Sequence, residues 1–190
     1  MGNDSQNRFR WEWLIVSAGY FLVALFATYP LVLHFTETIP YVLLPEKNTE
    51  LLPLVAGDHL QTYYWFWLFK DNLIGQSAFF SNPYEFHIGG RYLQHGYAQF
   101  PVSILFFLLS VFGNVPAHNL LILLTYVFSG LSVYYLVRNW GLSALPSFIG
   151  GLVFALAPSR QTQLLAGHIN GYVWFLIPLT LYFFEKGYRV

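Results

Sequence analysis

Long apolar runs separated by short polar turns dominate the chain. The first run, residues 13–33, has roughly the 20 residues that a helix needs to cross about 30 Å of hydrocarbon. Residues 118–137, 144–158 and 172–185 are predicted to span as well, the last two by recruiting polar flanks. Residues 101–113 are too few to cross and predict a re-entrant helix. The pattern predicts an all-α integral membrane protein with about four transmembrane helices in a single domain.

A long polar segment, residues 34–100, follows the first span and carries about half of the charged side chains. Within it, Asp58 occupies a helix N-cap position, and no Gly or Pro interrupts the chain until Gly75. We therefore predict a helix over residues 58–74. Its mostly apolar stripe, at three- and four-residue steps, predicts a helix lying on the membrane and consists of Leu60, Tyr63, Tyr64, Trp67, Leu68 and Asp71.

The composition agrees with membrane insertion and excludes several classes of function. Hydrophobic residues make up 56% of the chain and charged residues 9%, with a mean hydropathy of +0.48. Nine basic and nine acidic side chains give no net charge, which argues against nucleic acid as a partner. The absence of cysteine excludes disulfides, thiolate metal sites and cysteine nucleophiles.

Basic residues predict the orientation of the chain. If residues 101–113 do not cross, the basic side chains that flank the spans all fall on one side of the membrane. These are Arg8, Arg10, Arg138, Lys186 and Arg189. The positive-inside rule then places both termini in the cytoplasm and residues 34–100 outside.

Several motifs together resemble the N-terminal half of a bacterial GT-C glycosyltransferase. In chain order they are GDHLQTYYWFWLF at residues 57–69, NPYEF followed by GG at 82–90, FPVSILFFLLSVFG at 100–113, YYLVRNWG at 134–141 and GGLVFALAPSRQTQLLAGHINGYVWFLIPL at 150–179. The resemblance implies transfer of a sugar from a polyprenyl-phosphate donor at the outer face of the bacterial inner membrane, with inversion. It also implies an acidic base in the first external loop, and Asp58 is the matching position.

A helix N-terminus can hold a carboxylate within reach of an acceptor hydroxyl, which suits a general base. The alternative is that Asp58 is simply a helix N-cap, for which Asp is a preferred residue. Family members continue through further spans and often end in a soluble domain. We therefore expect a module that is incomplete on its own.

Candidate substrate-binding residues lie in two further clusters and beside the base. They are His59, Arg91, His95, Arg160, His168 and Asn170. The planar fork of Arg160 matches a phosphate, and His168 and Asn170 suit sugar hydroxyls or the leaving phosphate. The alternative is an interfacial turn that contacts lipid headgroups alone. Trp65 and Tyr84 are candidates for stacking on sugar rings.

His87, Arg91 and His95 form the cluster in the loop, although Gly89 and Gly90 disfavour a helix there. Together with Asp58 and His59, these histidines offer ligands for a divalent ion. No zinc-motif spacing is present, so we favour no metal and no cofactor. Nucleophile-elbow, phosphate-loop and dinucleotide motifs are also missing from the sequence.

Two functions follow from these patterns. The first is a GT-C-like glycosyltransferase module with membrane lipids, a polyprenyl-phosphate-linked sugar donor and other membrane subunits as partners. The second is a non-catalytic accessory subunit of a larger membrane complex, built from a truncated fold of this type. The Asp58 context with Arg160 and His168 favours the first, and the length of the chain favours the second.

Overall fold

The computed structural model describes residues 2–40, 58–85, 93–94 and 100–188. Helices make up most of this part of the chain, so the predicted all-α class is confirmed. The helices are α1 (Gly2–Ala27), α2 (His59–Leu73), α3 (Phe100–Leu109), α4 (Asn114–Asn139), α5 (Ala144–Ala155), α6 (Pro158–Leu165), α7 (Ile169–Val173) and α8 (Leu176–Tyr188). Short 3₁₀ turns cover Leu31–His34 and Ser110–Phe112, and Ser81–Asn82 pairs antiparallel with Leu93–Gln94.

Helix α4 is the centre of the bundle, with α1, α5 and α8 packed along it. The helices approach closely at Gly130 and Gly151, where a Cβ would lie 2.6 Å and 2.0 Å from the side chain of Tyr20. The Tyr20 ring fills this gap and stacks on Phe148 at a centroid distance of 4.7 Å. Its hydroxyl donates to the Phe148 carbonyl at 3.1 Å. Small residues thus allow three helices to meet around one buried aromatic side chain.

One end of the bundle is tied together by polar contacts. The Glu12 carboxylate of α1 lies 3.2 Å from the Arg138 guanidinium near the end of α4, and the Tyr134 hydroxyl donates to it. The Trp140 indole donates to the Glu185 carboxylate of α8 at 2.7 Å. The N-terminal half of α1, around Glu12, and the C-terminal parts of α4 and α8 therefore lie at the same end of the bundle.

The opposite end carries the segment after α1 together with α2, α3, α6 and α7. There, the Asn119 amide of α4 donates to the Phe35 and Thr38 carbonyls at 2.7 and 2.6 Å. Helix α2 packs across this end on an aromatic cluster, in which Phe66 lies 5.5 Å from Phe106 and 5.6 Å from Tyr172. The loop helix is thus docked onto the bundle.

The buried face of α2 differs from the stripe predicted for it. Its first two turns bury His59, Thr62 and Phe66, whereas Leu60 is 59% exposed. Leu68 and Asp71 of the predicted stripe are buried. The burial of His59 and Thr62 was not predicted, because both are polar and a hydropathy pattern assigns them to solvent. Both are buried here with hydrogen bonds to backbone carbonyls, which offset part of the penalty for burying them.

Helix bounds also differ from the predicted runs. The first helix ends at Ala27, before Pro30, and residues 144–158 divide at Leu156 into α5 and α6. Residues 172–185 divide between α7 and α8. Within the described ranges, α4 is the one helix long and apolar enough to cross a membrane, with a hydropathy of 2.0, and the apolar stretches Trp11–Ala27, Phe100–Phe112 and Ala144–Ala155 are shorter.

Candidate functional site

Asp58 stands directly before α2, as the sequence predicts, but its side chain does not cap the helix. Its carbonyl accepts the first helical bond from the Thr62 amide at 2.8 Å, while its carboxylate has no bond to the helix amides. Instead, the carboxylate lies 3.4 Å from Nε2 of His168 and is 54% exposed. An Asp used only as a cap would accept from the N2 or N3 amide. This geometry leaves the carboxylate available for other chemistry.

His168 is held from two sides. Its Nδ1 lies 2.8 Å from Oε1 of Gln163, and its backbone amide donates to the Gln163 carbonyl at 2.9 Å. Both ring nitrogens therefore face oxygen atoms, Nδ1 that of the Gln163 amide and Nε2 that of the Asp58 carboxylate. Side-chain contacts from Gln163 to His168 and from His168 to Asp58 thus hold the carboxylate against the turn between α6 and α7.

Three hydrogen bonds fasten the start of α2 to this turn. The Asp58 amide donates to the Ala166 carbonyl at 2.6 Å, the His59 ring to the Leu165 carbonyl at 2.5 Å, and the Thr62 hydroxyl to the Gly167 carbonyl at 2.5 Å. We call these three bonds the α2 clamp. They set the position of Asp58 relative to His168.

Gly167 is required where the clamp closes. Its φ is +74°, a left-handed conformation that favours glycine. A Cβ at this position would lie 2.5 Å from the His59 amide nitrogen and 2.9 Å from the Asp58 carbonyl carbon. The turn can therefore approach the backbone of α2 only without a side chain.

His59 contributes to the clamp as a neutral donor. Burial lowers the pKa of its imidazole below the usual 6.5. Because Nε2 donates to a carbonyl, the second nitrogen, Nδ1, carries the lone pair of the neutral ring. That atom is buried and has no hydrogen-bond partner within the described part of the chain.

Asp58 and His168 line a polar pocket of about 310 Å³. The lining residues are Asp58, Gln61, Thr62, Trp65, Gln163, His168, Ile169 and Asn170. The pocket brings together three of the predicted site residues, Asp58, His168 and Asn170, and Trp65 forms part of its wall. None of the described residues that line the pocket is Lys or Arg.

An apolar cleft of about 320 Å³ lies on the other side of the α2 clamp. It is lined by Thr28, Pro30, Leu31, His34, Thr38, Ile39, Pro40, His59, Ile122, Leu164 and Leu165. Neighbouring residues of the same segment line different cavities. At the start of α2, Asp58 lines the polar pocket and His59 lines the cleft, and in α6, Gln163 lines the pocket and Leu164 the cleft. A molecule with an apolar chain and a polar end can thus contact both sides of one structural element.

The structure does not bring Arg160 to this pocket. Its guanidinium is fully buried and donates to the Ala155 carbonyl at 2.8 Å and to the Thr125 hydroxyl at 2.9 Å. It also lies 4.4 Å from the centroid of the Tyr126 ring. Burial lowers the pKa of Arg160 to about 10, which keeps it cationic at neutral pH beside the negative C-terminal end of α5. In this position, the Arg160 guanidinium is not accessible to a phosphate group outside the protein, contrary to the expectation from the sequence.

Other predicted residues lie elsewhere. Arg91 and His95, with His87, lie outside the described residues. Tyr84 does not line the polar pocket. Its hydroxyl donates to Asp71 at 3.0 Å, and its ring packs on Trp67 at 5.2 Å. Among the residues whose positions are described, no group of three or more His, Asp or Glu side chains has a metal-binding arrangement.

Sequence reasoning missed Gln61 and Gln163 as members of the site. Gln163 stands five residues before His168 in a turn with Gly167, and this local pairing of an amide with a histidine was the available signal. Gln61 follows Asp58 by one helical turn, which places both on one face of α2. Nothing in the sequence, however, indicated that this face meets the turn between α6 and α7.

The chain was also compared with protein-family models, with curated proteins and with solved structures. None of the three comparisons gives a match. The resemblance to GT-C glycosyltransferases therefore rests on the sequence motifs quoted above alone.

Proposed function

We propose that the chain is a module of a membrane glycosyltransferase of the GT-C type, with Asp58 as the general base. One observation carries the proposal: the Asp58 carboxylate is not used as a helix cap but faces His168 in a polar pocket beside an apolar cleft. A carboxylate that served only as a helix N-cap would bond to the first helical amides and would not need a histidine partner. A base for an acceptor hydroxyl requires a fixed, accessible carboxylate.

Membrane integration is part of the proposal and is supported by the surface of the bundle. Its outer helices expose large apolar side chains at helical spacing, including Ile15, Leu22 and Phe26 on α1, Leu145, Ile149 and Val153 on α5, and Ile177, Leu181 and Phe184 on α8. The interior of α4 instead buries polar side chains, among them Asn119, Thr125, Ser129 and Ser132. An apolar exterior around a partly polar interior is the arrangement that hydrocarbon stabilises.

In the proposed reaction, the acceptor hydroxyl lies against the Asp58 carboxylate. Its oxygen attacks the anomeric carbon of the donor sugar, and the hydroxyl proton passes to Asp58. The bond between the anomeric carbon and the phosphate oxygen breaks, and polyprenyl phosphate leaves with the bonding electrons. Attack opposite the leaving group inverts the anomeric centre. His168 acts as a positioning residue that orients the carboxylate from its other side.

The apolar cleft supplies a place for the hydrocarbon chain of such a donor. Leu31, Ile122 and Leu164 give it apolar walls, and it lies at the end of the bundle that carries α2. Burial of a hydrocarbon chain is favourable by about 0.8 kcal/mol per methylene group. Cleft and polar pocket, on the two sides of the α2 clamp, match the two chemically different parts of a lipid-linked sugar.

The experiment uses the full chain, purified in mild detergent with whatever subunits accompany it and transferred to lipid nanodiscs. Polyprenyl-phosphate-glucose and polyprenyl-phosphate-mannose serve as donors, with methyl glycosides as acceptors. Released polyprenyl phosphate, the common product, is measured by mass spectrometry. Glu37→Gln, which removes an exposed carboxylate outside the pocket, is the control for Asp58→Asn.

We expect Asp58→Asn to slow release by about 100-fold or more, the usual contribution of a general base, and Glu37→Gln to leave it unchanged. Release that is equally fast in Asp58→Asn and wild type refutes the assignment of Asp58. A fixed-stoichiometry complex that binds neither donor and releases no polyprenyl phosphate refutes the transferase function and favours the accessory subunit.

A further inference from the structure

The polar pocket contains hydrogen-bonding groups that the protein itself does not use. The side chains of Gln61 and Asn170 line the pocket and have no hydrogen-bond partner among the described residues. The amide nitrogen of Gln163 is similarly unused, since only its Oε1 faces His168. Each amide offers donors and an acceptor at once, which is the combination that a hydroxyl group, itself a donor and an acceptor, requires.

The charge of the pocket favours neutral ligands over anionic ones. Among the described lining residues, Asp58 is the one acidic side chain, and none is Lys or Arg. His168 is already directed at the Asp58 carboxylate and at Gln163. A carboxylate or phosphate ester on a ligand would therefore meet Asp58 without an opposing cation from the lining residues, and like charges at a few ångströms repel.

Trp65 adds an aromatic wall one helical turn beyond Gln61 and Thr62. The Trp65 ring packs edge-on against Tyr64 at 5.8 Å, which limits its rotation. An indole face is the largest flat apolar surface that a side chain can offer. Pyranose rings present axial C–H groups on one face and hydroxyls around the edge, so an indole wall with amides around it matches both parts.

We infer that this pocket binds a neutral sugar and discriminates against uronic acids and sugar phosphates, with Trp65 as the stacking surface and Gln61, Gln163 and Asn170 as the hydroxyl-binding groups. This inference rests on the proposed function and names the class of acceptor that reaches Asp58. The acceptor is a neutral glycan whose terminal ring stacks on Trp65 and directs one hydroxyl to the carboxylate.

The test is binding of monosaccharide probes to the full chain by saturation-transfer NMR. The chain is kept in nanodiscs or in a polyoxyethylene detergent, because maltoside and glucoside detergents would compete for the pocket. Methyl α-glucoside, methyl α-mannoside and methyl β-galactoside are the neutral probes. Methyl glucuronide and glucose 6-phosphate are anionic probes of similar size.

We expect at least one neutral glycoside to bind and both anionic probes to bind about tenfold more weakly or not at all. Trp65→Leu should weaken the neutral probe by about tenfold. Trp67→Leu is the matched control, since this second tryptophan of α2 packs against Tyr84 and does not line the pocket. It should leave binding unchanged.

Gln61→Lys provides a second variant at an exposed position of α2, where folding should not suffer. The added ammonium should bring the affinity for methyl glucuronide up about tenfold relative to wild type. Failure of every neutral glycoside to bind overturns the inference. So does an anionic probe that binds wild type as tightly as the neutral ones, or equal loss of binding in Trp65→Leu and Trp67→Leu.

The two proposals fail separately. Asp58→Asn abolishes transfer in the release assay but removes only one of several groups in the pocket, so neutral sugar binding should persist. Sugar binding without any release of polyprenyl phosphate rejects the transferase and retains the sugar site. Release of polyprenyl phosphate to an anionic acceptor alone retains the transferase and rejects the neutral-sugar assignment.

Discussion

Replacing Gly167 by alanine tests whether close backbone packing creates the site. Two costs are combined at this position. An L-residue at φ +74° is strained by about 1–2 kcal/mol, and the new Cβ would lie 2.5 Å from the His59 amide nitrogen. The neighbours are backbone atoms, so the turn and α2 must separate, at the cost of about 1–3 kcal/mol typical of overpacking.

Gly75→Ala and Gly141→Ala are matched controls. Their φ values are +79° and +89°, and no atom lies within 4 Å of a Cβ added at either position. They carry the same backbone strain and the same change in the entropy of the unfolded chain, but no overlap. The difference between Gly167→Ala and these two variants therefore isolates the packing of the turn on α2.

Thermal unfolding in nanodiscs provides the assay. For a chain of this size, about 1 kcal/mol corresponds to roughly 2–4 °C in Tm. We expect Tm to fall by about 2–8 °C in each control and about twice as far or more in Gly167→Ala. Release of polyprenyl phosphate should persist in the controls and be lost in Gly167→Ala. A Tm and activity for Gly167→Ala equal to those of Gly75→Ala would refute the reasoning.

Three further predictions concern burial, pH and topology. Arg160→Lys should lower the unfolding free energy by about 1–3 kcal/mol, because a single ammonium cannot reach both acceptors; a changed KM for the donor with an unchanged Tm would instead support phosphate binding. Because burial lowers the pKa of His59 below 6.5, the unfolded chain binds the proton more tightly. The contribution of His59 to stability is therefore complete above about pH 6.5 and declines as the pH falls below it, so the decrease in Tm between pH 7 and pH 5 should be smaller in His59→Gln; equal decreases would contradict this. Leu33 and Leu142 lie at opposite ends of the bundle and are 64% and 42% exposed. In the cysteine-free chain, an impermeant thiol reagent should label Leu33→Cys in intact cells and Leu142→Cys only after permeabilisation. The reverse labelling pattern would show that the orientation is inverted.

Local features of the sequence predicted the helices well. The absence of Gly and Pro between Asp58 and Gly75 gave α2 to within one residue at each end, because helix boundaries depend on nearby residues. The division of the last predicted span between α7 and α8 was missed. The break lies at residues 174–175, within the apolar run YVWFLIP, where hydropathy gives no signal of it.

The sequence by itself determined the helical class, the apolar character of the chain and the placing of an acidic residue at the start of α2. It also marked Asp58 and His168 as candidates for a functional site, since charged side chains are few in such a chain. It could not determine that they meet, because they belong to different helices and their pairing depends on contacts between distant segments.

The tertiary structure decided where the polar side chains lie and which groups they contact. Arg160 looked like a surface ligand because it stands in a polar stretch between apolar runs, yet the junction of α5 and α6 directs it inward to the Ala155 carbonyl. Asp58 looked equally suited to a cap and to a base, and the α2 clamp placed its carboxylate against His168. The clamp itself consists of hydrogen bonds to backbone carbonyls and of a close approach at Gly167, and neither leaves a trace in the hydropathy of the chain.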